Sequence, residues 1–258
     1  MNMVTAIRIV RKFVHRKWFS DDPQRDIYLV SYPRSGNTWM RAVIAELLLK
    51  RKTTSLRELD YIVPDIYYRI PKNKIPNLDK YIVKSHEPFR TNLPSAKYRK
   101  VIYLVRDPRN VAVSYYRYIM KNELNNYPTD EFISNFVSGK IFPCSWQEHV
   151  SSWTVGMARA IDLLIIKYED LIQSPKENIK RIAEFIGINP KDNLLDEVIA
   201  SCSKEGMREK EFNGNRPEIE SKELYFIGSG NGELILTAQQ EQLICDYARI
   251  PMEIFGYR

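Results

Sequence analysis

The chain has 258 residues, of which 44% are hydrophobic and 28% charged, enough for one large globular domain or two small ones. Lys and Arg number 39 against 32 Asp and Glu, giving a net charge of +7 that suits an anionic partner. No apolar run approaches the ~20 residues that span a bilayer, no Lys/Arg block is long enough for a nucleic-acid tail, and Cys144, Cys202 and Cys245 have no zinc-site spacing and suit a reducing compartment.

In chain order, residues 1–20 set Arg8, Arg11, Lys12, His15, Arg16 and Lys17 among Ile7, Ile9, Val10, Phe13, Val14, Trp18 and Phe19. This is a basic amphipathic segment, either packed on the body or touching an anionic lipid surface or substrate. It has no continuous apolar stretch of the kind a secretory leader needs, so a cytoplasmic location is expected. Asp21-Asp22-Pro23 ends it. Ile27 to Tyr32 is a short apolar run that reads as a buried strand. Met40, Val43, Ile44, Leu47 and Leu48 follow at helical spacing. Between them lies Pro33-Arg34-Ser35-Gly36-Asn37-Thr38. A strand, a tight polar turn and a helix N-terminus form an anion cradle, because uncapped backbone N–H groups and the helix dipole converge there. Gly36 permits close approach to the backbone, and Arg34 adds a fork suited to phosphate or sulfate. Taken alone, the turn is also compatible with an ordinary βα connection.

Residues 51–80 are rich in Lys, Arg, Pro and Tyr and read as irregular, with a short helix near Ser55 to Tyr61. They are either a plain connection or part of an acceptor site. Tyr81 to His86 is a second strand ending in Lys84 and His86. Val101 to Arg106 is a third. Asp107-Pro108 opens a helix whose apolar face is Val111, Ala112, Tyr115, Tyr118 and Ile119. Residues 121–160 are mixed. Trp146, His149, Val150 and Trp153 recur at helical spacing, which makes His149 a hydrogen-bonded structural histidine. Asp162 to Tyr168 is a fourth strand. Ser174-Pro175-Lys176-Glu177 reads as a capping box opening a helix that runs to Gly187. Another helix spans about Asp192 to Ser201. Residues 203–233 read as polar and irregular, and Thr237-Ala-Gln-Gln240 caps the last helix.

Strands alternating with helices predict an α/β single domain with a mostly parallel central sheet flanked by helices. Ligands of such sheets bind beyond the carboxyl ends of the strands. Arg34, Lys84 with His86, Arg106 and Tyr168 stand at four such ends. That arrangement suits a polyanion with two separated anionic groups. The turn, Arg34 and Lys84 would hold one, and Arg106 with Ser114, eight residues later, the other. His86 is placed as a general base. Acidic residues at these strand ends are confined to Asp107 and Glu169-Asp170. Phosphoryl transfer normally relies on Mg²⁺, so that distribution weighs against a kinase.

Tyr32-Pro-Arg-Ser-Gly-Asn-Thr-Trp39, Lys84-Ser-His86 and Arg106-Asp-Pro-Arg-Asn-Val-Ala-Val-Ser114-Tyr-Tyr resemble the cytosolic-type sulfotransferases, which use 3′-phosphoadenosine 5′-phosphosulfate (PAPS). Ser145-Trp-Gln-Glu-His-Val, Ile166-Lys-Tyr-Glu-Asp-Leu171 and Phe255-Gly-Tyr257 extend the match over nearly the whole chain. The resemblance implies a P-loop-like, nucleotide-kinase-like three-layer domain over residues 25–258, with 1–24 as its flanking segment. It implies that Arg34, Ser35, Gly36, Asn37, Thr38 and Trp39 hold the 5′-phosphosulfate, that Arg106 and Ser114 hold the 3′-phosphate, and that Tyr168 sits near the adenine. Lys84 would touch the sulfuryl group and His86 would deprotonate the acceptor, with no metal. The acceptor would be a small molecule, glycan or lipid, met by residues 51–80, 121–145 and 205–225, with no nucleic acid involved. Three positions depart from the family. Arg34 stands where Lys is usual. The late Arg-Lys-Gly loop becomes Gly228-Ser229-Gly230 after Phe226. Ser201 matches a cofactor-side Thr, and Ser203 replaces an adenine-stacking aromatic. The alternatives are a P-loop kinase-like phosphotransferase and a non-catalytic nucleotide-binding relative.

Overall fold

The computed structural model describes residues 26–66, 80–89, 100–122, 127–154, 162–214 and 235–257. The basic segment 1–24 and the late loop with Phe226, Gly228, Ser229 and Gly230 lie outside the described residues. Four strands, β1 (Asp26–Ser31), β2 (Tyr81–Ser85), β3 (Lys100–Val105) and β4 (Asp162–Lys167), pair in the order β2-β1-β3-β4. All three pairings are parallel, with Ile27 opposite Ile82 and Lys100, and Val101 opposite Leu163. Parallel strands bury both faces, which is why these segments read as continuous apolar runs rather than as alternations.

Each face carries its own core. Ile27, Leu29, Ile82, Ile102 and Leu104 point to one side. There they meet α1 (Asn37–Leu49), α7 (Pro175–Phe185) and α8 (Asp192–Ser201). Tyr28, Val30, Val101, Tyr103 and Val105 point to the other. That side is covered by α3 (Pro108–Asn122), α4 (Thr129–Val137), α5 (Trp146–Thr154), α10 (Ala238–Tyr247) and α11 (Arg249–Ile254). The result is the expected three-layer α/β architecture. The chain leaves β1 through α1 on one face to reach β2, and leaves β3 through α3 to α5 on the other face to reach β4. The connection direction therefore reverses between β1 and β3. Arg34 follows β1 and Arg106 follows β3, so both stand at the switch point where open α/β sheets bind ligands.

Several local expectations change. The fourth strand stops at Lys167, and Tyr168 opens a short helix, α6 (Tyr168–Gln173). Ser174 makes no side-chain cap, because it closes α6 and opens α7 at once. Its carbonyl instead accepts from the Asn178 backbone N–H (3.2 Å) and Nδ2 (3.0 Å), while Pro175 begins the helix as expected. The box at Thr237 forms in full. The short helix in the 51–80 region is α2 (Leu59–Ile62). Helices α4, α6, α9 (Lys204–Gly214) and α11 have no counterpart of their own in the sequence reading.

Helix α9 starts within hydrogen-bond reach of the end of α8. Ser203 Oγ accepts from the Gly206 N–H at 3.2 Å, and Met207, Lys210 and Glu211 turn inward. A Cβ on Gly206 would stand 2.2 Å from the Ser201 carbonyl oxygen, so only glycine lets the two helices approach this closely. Gly206→Ala is therefore expected to cost about 1–3 kcal/mol in urea denaturation, as overpacking against backbone does. Glu205→Ala, at its exposed neighbour, should change stability by no more than about 0.5 kcal/mol.

Candidate active site

The turn after β1 is built from two left-handed residues. Arg34 has φ 67° and Gly36 has φ 94°. A left-handed conformation costs a non-glycine residue about 1–2 kcal/mol, so Arg34 is held there by its surroundings. Ser35 N–H closes the turn on Tyr32 O at 3.3 Å, and Gly36 is the N-cap of α1. Gly36 has no side chain to cap with, so the first backbone N–H groups of α1 are directed into the space above the turn. Successive N–H groups in such a turn make an anion-binding concavity. Gly36 is also demanded by packing, since a Cβ there would lie 2.5 Å from Tyr168 Cδ2.

Tyr168 is the platform of the site. The Arg106 guanidinium lies over its ring at 4.3 Å from the centroid, and Trp39 meets it edge-on at 5.8 Å. Arg106 Nη1 donates to the Arg34 carbonyl at 3.0 Å, tying the end of β3 to the turn. Arg34 Nε donates to Ser114 Oγ at 3.2 Å, and its guanidinium stacks on Tyr118 at 5.0 Å from the centroid. Burial lowers the Arg34 pKa from its ordinary value; the Arg106 cation adds to that shift, and the Tyr118 and Tyr115 phenols and the Glu211 carboxylate oppose it. Arginine stays charged regardless. Two guanidiniums are thus fixed side by side in a partly dry site. Around them Ser35 Oγ, Asn37 Oδ1, Trp39 Nε1 and Arg106 Nε are buried with no hydrogen-bond partner among the described residues. Native proteins seldom leave buried polar atoms unmatched. Adjacent cations together with the unmatched donors among these, Ser35 Oγ, Trp39 Nε1 and Arg106 Nε, fit an anionic ligand bearing hydrogen-bond acceptors, as an adenosine phosphosulfate does.

The base expected at the end of β2 has a defined tautomer. His86 Nδ1 lies 2.7 Å from Ser31 O. A carbonyl can only accept, so Nδ1 carries the proton and Nε2 the lone pair. Helix α5 clamps this loop from the opposite face. His149 Nε2 donates to His86 O (3.2 Å), Trp153 Nε1 to Glu87 O (2.9 Å), and Ser152 Oγ accepts from Phe89 N (3.0 Å). With Nε2 donating, His149 Nδ1 accepts from Tyr103 O–H at 2.8 Å. His149 is wholly buried, in keeping with a structural histidine.

Lys84, expected to touch the sulfuryl group, stands at the end of β2. It forms a largely buried ion pair with Asp65. The backbones of the two residues also bridge, with Lys84 N–H donating to Pro64 O (2.8 Å) and Ile66 N–H to Lys84 O (2.9 Å). Arg41 of α1 anchors the same segment through Val63 O at 2.8 Å and Asp60 at 2.9 Å. Ser201 lies in a separate buried cluster. Its hydroxyl donates to Glu46 Oε1 at 3.0 Å and accepts from Lys210 Nζ at 2.7 Å. Thr38 opens α1 beside Asn37, whose Nδ2 donates to Ser31 Oγ at 3.0 Å.

The structure thus brings together Arg34, Ser35, Gly36, Trp39, Arg106, Ser114 and Tyr168, and places His86 on the neighbouring strand end. Sequence reading missed Asp65, Ser31 and Tyr118 as members of the site. Tyr118 carried a usable signal, standing one helical turn after Ser114. Asp65 and Ser31 carried none, because their contacts are set by tertiary pairing.

The family model described as the sulfotransferase domain matches residues 24–233. Sulfotransferase 1B1 of the dog (Canis lupus familiaris) is 32% identical over 199 residues, 71% of this chain and 66% of its own length. Flavonol 4′-sulfotransferase of Flaveria chlorifolia is 30% identical over 238 residues, 81% of this chain and 72% of its own. The chain therefore spans just under two thirds of the dog protein. The crystal structure of mouse sulfotransferase SULT7A1 complexed with PAP shares the fold, with a TM-score of 0.68 at 22% identity, covering 100% of this chain and 96% of that one.

His149 makes the site's support sensitive to pH. Burial lowers its pKa from the ordinary 6.5 to about 3. Between those values the unfolded chain binds a proton that the folded chain does not. Stability should therefore fall with falling pH by about 1.4 kcal/mol per unit below pH ~6.5, in addition to the carboxylate contribution. Urea titrations at pH 7, 6 and 5 should show this increment in the wild type and not in His149→Gln. Equal slopes in the two proteins would contradict it.

Proposed function

Because the chain belongs to the sulfotransferase domain family, we propose that it transfers the sulfuryl group of PAPS to a hydroxyl, or an amine, of a small-molecule acceptor. The observation that carries this reading is the pair Arg34 and Arg106, fixed at the switch point among buried unmatched polar atoms. PAPS, when bound, supplies an activated sulfuryl group on a phosphate leaving group.

The protein's own residues do the rest. The 34–39 turn, with Ser35, Gly36, Asn37, Thr38 and Trp39, holds the 5′ end by backbone N–H groups, the helix dipole and the Arg34 fork. Arg106 and Ser114 hold the 3′-phosphate. Ser114 Oγ accepts from Arg34 Nε, so its own O–H is directed elsewhere, which suits a second anion. Tyr168 and Trp39 would face the adenine, Ser201 would do so only by exchanging its bonds to Glu46 and Lys210, and the resemblance assigns Phe226, Gly228, Ser229 and Gly230, which lie outside the described residues, to the 3′-phosphate. His86 Nε2 accepts the proton of the acceptor hydroxyl, while Nδ1–H stays on Ser31 O and keeps the ring in place. The resulting imidazolium is stabilised by that same carbonyl. Charge developing on the phosphate side is met by donors already aligned, so little reorganisation is needed. Lys84 assists from the β2 end, with its ammonium oriented by Asp65.

The dog and Flaveria relatives are named as sulfotransferases, the second for a flavonol. A phenol, an alcohol, a glycan or a lipid headgroup fits the Tyr-rich and basic segments 51–80, 121–145 and 205–225. No described helix is long and apolar enough to cross a membrane. On this reading the body, residues 25–258, lies in the cytoplasm, and the basic residues 1–20 either flank it or meet anionic surfaces at the membrane periphery.

Label transfer from ³⁵S-PAPS to a panel of phenols, alcohols and amines should proceed in EDTA. His86→Ala should lower it by about 10²-fold or more, while its affinity for adenosine 3′,5′-bisphosphate stays within about threefold of wild type. Transfer by His86→Ala at near wild-type rate would remove the base assignment. Mg²⁺-dependent transfer from ATP, with none from PAPS, would remove the sulfotransferase reading.

A further inference from the structure

An arginine in the phosphate turn poses a problem of geometry. A lysine ammonium is a compact charge that donates in any direction about its axis, whereas a guanidinium acts only when its plane and its in-plane rotation are both correct. The structure supplies both constraints from one face of one helix. Ser114 and Tyr118 are four residues apart on α3 and lie on the same side of it. Ser114 Oγ takes the Arg34 Nε–H at 3.2 Å, which sets the rotation within the plane. The Tyr118 ring, 5.0 Å from the guanidinium carbon, sets the plane itself. The left-handed backbone at Arg34, φ 67°, launches the side chain towards that pair.

We propose that Tyr118 is the positioning residue that makes arginine serviceable at position 34. It presents an aromatic face that orients the guanidinium fork towards the anion held by the turn. This rests on the reading of residues 34–39 as the cradle of the 5′-phosphosulfate. Electrostatics points the same way. Arg106 brings a like charge next to Arg34 by bonding to its carbonyl. The electron-rich face of Tyr118 offsets part of that repulsion. Tyr118 is itself held at its base, where its ring meets that of Tyr115, centroids 6.5 Å apart, and Tyr115 O–H donates to Phe142 O at 2.9 Å. The aromatic face, not the Tyr118 hydroxyl, is the working part. A lysine ammonium also feels the ring's quadrupole, but it has no plane for the ring to orient, so the ring sets no direction for it.

The test is a cycle of variants read by calorimetric titration with adenosine 3′,5′-bisphosphate, which needs no acceptor. Tyr118→Leu should weaken binding about tenfold, the order a partly desolvated cation–π contact supplies. Tyr118→Phe should stay within about twofold of wild type. In an Arg34→Lys background, adding Tyr118→Leu should change affinity by less than about twofold. Thermal melts confirm folding, and Tyr118→Gln replaces Tyr118→Leu if the latter does not fold. Equal losses from Tyr118→Leu in the wild-type and Arg34→Lys backgrounds, or a Tyr118→Phe loss as large as that of Tyr118→Leu, would overturn the proposal. Failure of the wild type to bind the bisphosphate would instead overturn the cradle reading, and this role with it.

Discussion

Two guanidinium groups held against their mutual repulsion are the constraint on which the rest of the site depends. Arg34 and Arg106 follow the two strands that flank the switch point. A backbone carbonyl, a hydroxyl and two tyrosine faces orient them directly. The Glu211 carboxylate also reaches Arg34 electrostatically and offsets part of the repulsion between the two cations. The cost is stored in the left-handed Arg34 and in the unmatched buried atoms nearby.

Carboxylates appear one step away, where they organise backbone rather than ligand. Glu169 accepts from Asp107 N–H at 3.1 Å and from Tyr257 O–H at 2.9 Å. Asp107 pairs with Arg109, whose Nη2 also donates to Tyr257 O at 3.0 Å. The segment after α11 is thereby fastened to the loop that carries Arg106. His86 is fastened in a comparable way from α5, through His149, Trp153 and Ser152. Lys84 belongs to this second kind of arrangement. Its pairing with Asp65 links the β2 end to the segment that Arg41 anchors on α1, so the cradle helix and the base strand share a rigid neighbour.

The sheet was legible from sequence because parallel strands bury both faces. Apolar runs such as Val101–Val105 then mark strands to within a residue. The turn was legible because Pro33 to Thr38 lies between an apolar run and helical spacing, although such a turn also serves as an ordinary βα connection. Helix α9 escaped because Lys204–Gly214 is polar and contains Gly206, and its position is fixed by burying Lys210 against Glu46 and Ser201, the first of them far away in the chain. Tyr168 read as a strand end because its burial by Gly36 and Arg106 arises from tertiary contact. The Lys84–Asp65 pair was invisible for the same reason. Pairing on the far edge of β2 has no local signature, whereas Tyr118 was already marked by helical spacing but looked like core.

If the switch point clamps two anionic groups at once, calorimetric comparison of adenosine 3′,5′-bisphosphate with adenosine 5′-monophosphate on the wild-type chain tests it most directly. The bisphosphate is expected to bind at least about tenfold more tightly, the scale of one charge-assisted phosphate contact. Arg106→Met should abolish most of that difference, with a smaller loss of affinity for the monophosphate than for the bisphosphate. Equal affinities for the two nucleotides, or an Arg106→Met variant that still distinguishes them as the wild type does, would contradict the clamp.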